Sequence, residues 1–240
     1  MTASVSDHSD SRWPFFSPLL ILAAGVLAYA NSFSCPFIFD DKTVVTANPH
    51  IYYLWPPWRA VLVPTRFMAD LSFALNYAIG GFNAADYHVA NLIIHICAGL
   101  LLYGVVRRTL LLPRFEGHFR SASPWLALTV AVLWVAHPLQ TESVTYVAQR
   151  IEALMGCFYL LAFYCFVRGV HSRRSRWWLD GALAACLLGM GTKEMMVTLP
   201  AVMFLYDATF VAPSWLAALR ARWKFYVALA LSLGFLPCCC

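Results

Sequence analysis

The feature that most constrains this chain is a long run without charge. Between Trp13 and Phe39 there is no Asp, Glu, Lys or Arg. That is enough apolar chain for one helix, over Phe15–Phe33, to cross a hydrocarbon core about 30 Å thick. The pattern recurs along His88–Val106, Pro124–Ala136, Ala153–Val167 and Phe225–Pro237, and Trp177–Tyr206 is apolar except for Asp180, Lys193 and Glu194. Charged residues make up only 12% of the chain, against roughly 25% in a soluble domain. The chain therefore reads as an all-α polytopic membrane protein. Its net charge of +5 concerns membrane orientation rather than nucleic-acid binding.

The basic residues are clustered. Arg107, Arg108, Arg114 and Arg120 form one group, Arg168, Arg173, Arg174 and Arg176 a second, and Arg220, Arg222 and Lys224 a third. Lys and Arg accumulate in cytoplasmic loops, so these three loops are expected in the cytoplasm, with the amino terminus beside them. Two basic loops on one side need an even number of spans between them. Trp177–Tyr206 should accordingly be two short helices with Gly191–Glu194 at the far turn. Each would be roughly 22 Å long, which sets that turn below the outer surface. The expected total is about seven spans. Residues 1–14 read as a cytoplasmic tail and 15–240 as a single transmembrane domain, with a long external loop over 34–87.

That loop is not featureless. Pro49, Pro56, Pro57 and Pro64 break its first half, and Ile51–Trp55 is an aromatic interfacial segment. Arg66–Ile79 has the spacing of an amphipathic helix lying on the membrane surface. Cys97, Cys157, Cys165 and Cys186 fall inside apolar stretches and are expected to act as small hydrophobes. The Cys238–Cys240 run reads as the scar of an altered end, ahead of a lipidation or metal site. No cleavable signal peptide is expected, since the first apolar stretch lacks a small-residue cleavage site.

Unusual polar residues collect in the three external loops. The first holds Asp40, Asp41 and Lys42; the second His137, Glu142 and Arg150; the third Lys193 and Glu194. Carboxylates near a membrane are expensive unless paired, hydrated or bound to a ligand. Three loops on one face point to a shared cavity. Adjacent carboxylates suit a general base and its neighbour, while Arg150 and Lys193 suit a phosphate. His88, Asn91 and His95 share one helical face. Asn91 and His95 read as interhelical hydrogen-bonding residues, and His88, at the outer end, as a site residue. No nucleotide-binding glycine loop, zinc spacing or nucleophile elbow is present.

Four blocks carry a resemblance. Phe37–Asp41 with Asn48–Pro49, then Leu71–Tyr77 with Tyr87–His88, Asn91 and His95, then His137–Val144 ending at Gln149–Arg150, then Lys193–Glu194 with Leu199–Pro200 and Tyr206–Asp207 together resemble the TMTC-like O-mannosyltransferases and their bacterial relatives. The blocks occur in the family's order over residues 37–207. The resemblance implies the GT-C fold, with a seven-helix module and a first external loop bearing juxtamembrane helices. It implies transfer of a sugar from a polyprenyl-phosphate carrier to a hydroxyl acceptor on the periplasmic or luminal face. It places the catalytic base on Asp40 or Asp41, and donor-phosphate or acceptor binding on Glu142, Arg150, Lys193 and Glu194; His88 and His137 join them as substrate-binding candidates by their place beside the external loops. No organic cofactor is expected, and a divalent cation is left open. The expected partners are membrane lipids, the polyprenyl-phosphate donor and other membrane subunits, with no nucleic acid.

Two other classes compete. A non-catalytic transmembrane subunit derived from this fold would pack inside a larger complex. A transporter would place charges near mid-membrane, whereas Asp180 and Asp207 fall near helix ends, so it ranks last.

Overall fold

The structure is a computed structural model that describes residues 13–54 and 66–235. Most of the tail, Trp55, Pro56, Pro57, Pro64, the last residues of the final apolar segment and Cys238–Cys240 lie outside the described residues. Among the described residues all regular structure is helical. α1 is Trp13–Tyr29, α2 Phe67–Gly80, α3 Ala84–Leu110 and α4 Ser123–Val135. α5 is the short Thr141–Thr145, followed by α6 Arg150–Val170, α7 Ser175–Met190, α8 Leu199–Tyr206 and α9 Trp215–Ser232.

Four stretches are long and apolar enough to cross a membrane: Phe16–Ser34, Ala84–Leu110, Val147–Val170 and Glu194–Val211. Four such helices make this a multi-pass integral membrane protein. The apolar helices, α4 and α9 as well as these spans, carry outward side chains that water would not tolerate as a patch. Leu27, Ile93, Leu133 and Leu231 are all exposed, as expected of surfaces that meet acyl chains.

Lipid supplies no hydrophobic drive between helices, so close approach of small residues matters. On α4, Ala127, Ala131 and Val135 lie at i, i+4 and i+8 and are fully buried, beside Ile21 of α1 and Tyr103 of α3. Gly25 and Gly99 face the same seam, where an added methyl group would strike Ile96 or Val135. A second core joins α6 to α9, with Phe166, Ala182, Cys186, Met203 and Leu229 at its centre. Cys165 and Cys186 are buried there as free thiols, in the small-hydrophobe role the sequence suggests.

Within 177–206 the chain breaks where a turn was expected. α7 ends at Met190, and a 3-10 turn over Glu194–Thr198 leads into α8. A π-type turn then carries the chain over Asp207–Val211. Asp207 is fully buried, and Arg222 donates to both its carboxylate oxygens at 2.7 and 2.8 Å. Tyr226 donates to the same carboxylate at 2.6 Å. This clamp ties the middle of α9 to the π-type turn, and the helix kinks at Arg222 (φ −132°, ψ 26°).

α2 bears on the site most directly. It is amphipathic, with Phe73, Ala74 and Asn76 buried and Leu75 and Ile79 exposed. The Met68 N–H donates to the Gly191 carbonyl at 3.0 Å. The first loop is thereby tied to the turn between α7 and α8.

Candidate functional site

A tight turn begins the site. The Asp41 N–H donates to the Ile38 carbonyl at 2.9 Å, and Phe39 between them adopts φ 42°. A non-glycine residue in this region stores strain of about 1–3 kcal/mol. The turn sends two adjacent carboxylates into different surroundings. Asp41 is 1% exposed. Its oxygens accept the Ile38 N–H at 3.0 Å and the Ala148 N–H at 2.7 Å. Asp40 stays exposed and lines an open cavity of about 400 Å³.

The opposite wall is the segment entering α6. Tyr146, Ala148, Gln149, Ile151 and Glu152 all line the cavity. Arg150 holds this segment in place. It is 1% exposed, and its guanidinium donates to Asn91 Oδ1 and Asn76 Oδ1 at 2.6 Å each and to the Tyr87 carbonyl at 2.9 Å. A longer bond of 3.3 Å reaches the Ser72 carbonyl. The cation also lies over the Phe73 and Tyr87 rings, 4.6 and 5.3 Å from their centroids. Four acceptors and two ring faces surround the group that the sequence assigned to a substrate phosphate. Arg150 is instead a joint between α2, α3 and α6, enclosed by protein and not among the residues lining the cavity.

Lys193 and Arg66 also line the cavity, with Thr43 and Val44. Lys193 forms an ion pair with Glu152, both side chains about one-third exposed. The wall therefore carries Asp40 and Glu152 against Arg66 and Lys193. Tyr146 links the two sides, its hydroxyl accepting the Asp40 N–H at 2.9 Å. Desolvation, and then the nearby Asp40 and Asp41 carboxylates, push the Tyr146 hydroxyl above its ordinary pKa. It stays protonated and able to donate.

The other candidate residues do not line this cavity. Glu142 is exposed and accepts from Gln149 Nε2 at 3.4 Å. His137 is exposed and caps its own turn by accepting the Leu139 N–H at 3.2 Å. Glu194 is exposed at the start of the 3-10 turn. His88 is 1% exposed, with Nε2 3.1 Å from the Cys35 carbonyl and Nδ1 without a partner. The face it shares with Asn91 and His95 does turn inward. His95 Nε2 lies 3.0 Å from the Val135 carbonyl, and Asn91 receives Arg150. Among the described residues no three His, Cys, Asp or Glu side chains gather as a metal site.

Sequence reasoning missed Glu152, Arg66 and Tyr146. Glu152 sits in the first turn of an apolar helix, where an unexplained carboxylate is a signal. Its partner, Lys193, became apparent only from the packing of α6 beside the α7–α8 turn.

Comparison with known proteins bears on this arrangement. The chain is 30% identical to protein O-mannosyl-transferase TMTC2 of Mus musculus over 210 residues, covering 79% of this chain and 23% of that protein. It is 31% identical to Tmtc2 of Drosophila melanogaster over 214 residues, covering 80% of this chain and 21% of that protein. Over this stretch the chain is homologous to the TMTC protein O-mannosyl-transferases. TMTC4 of Homo sapiens is 26% identical over 224 residues, 81% of this chain and 29% of that protein. The chain thus spans less than a third of the length of these TMTC relatives. No family model matches the chain. No solved structure matches it either.

Proposed function

We propose that this chain is the sugar-transfer module of a membrane glycosyltransferase of GT-C type. It would move a mannosyl group from a polyprenyl-phosphate carrier to a hydroxyl acceptor on the periplasmic or luminal face. The TMTC homology supports the reaction class. The observation that carries the reading is the position of Asp40, an exposed carboxylate on a cavity that also presents Arg66 and the Lys193–Glu152 pair.

In this reading Asp40 takes the proton of the acceptor hydroxyl as its oxygen attacks the anomeric carbon. The bond from that carbon to the carrier phosphate breaks, and the phosphate leaves with the electron pair on the lipid. Arg66 and Lys193 stabilise the charge that develops on it. Asp41 acts through the backbone by holding the turn, and Arg150 by holding the facing wall. In this reading the chain has seven spans, the three basic loops and the amino terminus are cytoplasmic, and the cavity opens on the external side.

The test is transfer from a polyprenyl-phosphate mannose donor to a hydroxyl acceptor, by the chain in its full-length context. Asp40→Asn should lower turnover by ~10²–10⁴-fold with the protein still folded. Turnover within a few-fold of the unsubstituted protein rejects Asp40 as the base.

A further inference from the structure

The other end of the bundle carries a second built pocket. A groove of about 590 Å³ lies where α1, α3 and α6 meet. Pro18, Leu100 and Leu101 give it an apolar floor, and Tyr103, Arg107, Arg108 and Tyr164 a polar end. Along α3, Arg107 lies 19 residues beyond His88, roughly 28 Å of helix. The groove is therefore separate from the Asp40 cavity.

Two of its polar groups are not satisfied within the protein. Arg107 Nε and the Tyr103 hydroxyl are both buried without a partner, and Tyr103 is only 8% exposed. Arg108 and Arg168 both donate to the single Tyr164 hydroxyl, at 3.4 and 3.2 Å. Gly104 permits this, since a side chain there would meet the Tyr164 ring at 2.6 Å. A neighbouring cavity shares Arg108 and adds Arg168 and His171. No carboxylate lines either cavity. Among the described residues the ion pairs engage Arg176, Lys193 and Arg222, and none of these three arginines.

We propose that this groove binds an anionic phospholipid, with its phosphate on Arg107 and Arg108 and an acyl chain along Pro18 and Leu101. Guanidinium groups bind phosphate oxygens in paired hydrogen bonds. The Tyr103 hydroxyl supplies a further donor at the same end. Basic pockets between transmembrane helices take anionic headgroups in this way. The apolar floor favours a lipid over free phosphate, which would leave that floor empty.

The test uses the purified protein in phosphatidylcholine nanodiscs doped with phosphatidylglycerol, with retained lipid read by mass spectrometry and Tm by thermal scan. Phosphatidylglycerol should be retained preferentially and should raise Tm. Arg107→Gln with Arg108→Gln should cut that retention by about tenfold, the scale of losing a charged hydrogen bond. Arg173→Gln with Arg174→Gln, which removes two exposed charges from the nearby loop, should leave it unchanged. Tyr103→Phe keeps every charge and should lower retention by a smaller factor; it decides the question if the double arginine variant does not fold. Equal loss in the Arg173/Arg174 variant, or none in the groove variants, overturns the site. Equal stabilisation by inorganic phosphate alone overturns the lipid.

Discussion

The Asp41 carboxylate and the Ala148 N–H meet at 2.7 Å across 107 residues of chain. This bond closes the first loop onto the entry of α6 and so shapes the cavity between them. Asp41→Asn turns one acceptor oxygen into a donor that faces a backbone N–H. The expected cost is about 1–3 kcal/mol of stability, the scale of a buried donor left unpaired. Thermal unfolding in detergent measures it, and an unchanged Tm would contradict the role.

Asp40 should behave in the opposite way. Its side chain is exposed and its backbone N–H is held by Tyr146. Asp40→Asn should leave Tm within a degree or so, because surface substitutions away from special contacts cost little. Turnover should nevertheless collapse. Comparing the two single variants separates chemistry from architecture, which a double Asp40/Asp41 variant would confound.

Arg150 should prove indispensable to folding rather than to donor affinity. Arg150→Ala strips the donor from Asn76, Asn91 and the Tyr87 carbonyl at once. Removing one partner from a buried charged network costs about 3–5 kcal/mol. Poor yield and early unfolding are expected. A stable Arg150→Ala protein with only a raised KM would restore the phosphate-binding role.

Lys193 and Glu152 should show a coupling in function that stability does not show. The pair is about one-third exposed on each side, so its loss should cost no more than about 1 kcal/mol after solvent screening. Lys193→Met leaves Glu152 unpaired beside Asp40 and should raise KM for an anionic donor. Adding Glu152→Gln removes that repulsion and should recover part of the loss. Strictly additive effects in this double-mutant cycle would show that the pair does not act as a unit.

Asp70 gives a pH dependence of known sign. Burial pushes its carboxyl above the ordinary carboxylate range, against the opposing effects of the Asn48 hydrogen bond and of His50 and Arg66. A raised folded pKa favours the protonated form. The contribution to stability is therefore complete below the unfolded value of about 4 and is lost as pH rises through the folded pKa. Asp70→Asn keeps the Asn48 contact at 3.2 Å and should flatten this part of the Tm–pH curve. A curve of unchanged slope between pH 4 and 7 would count against it.

Much of the architecture was legible from sequence because lipid imposes simple rules. Charge-free runs had to become helices, since no other segment satisfies its own backbone in a bilayer. The break near Gly191 followed from the even number of spans needed between two basic loops on one side, and the amphipathic α2 and the inward face of His88, Asn91 and His95 from periodicity. The polar residues of the loops expected outside include Asp40 and Lys193, which the structure brings to one cavity. Sequence could not say which of two adjacent aspartates opens to the cavity. The left-handed turn at Phe39 decides that, together with the bond from Asp41 to a segment over a hundred residues away. Nor could it separate an arginine that binds phosphate from one that braces three helices. Arg150 and Lys193 carry the same charge, and only packing shows the first enclosed by four acceptors and the second paired at a cavity wall. Local pattern fixes where a residue lies along a helix. Burial and partnership, which set the energy of a charge, depend on residues distant in the chain.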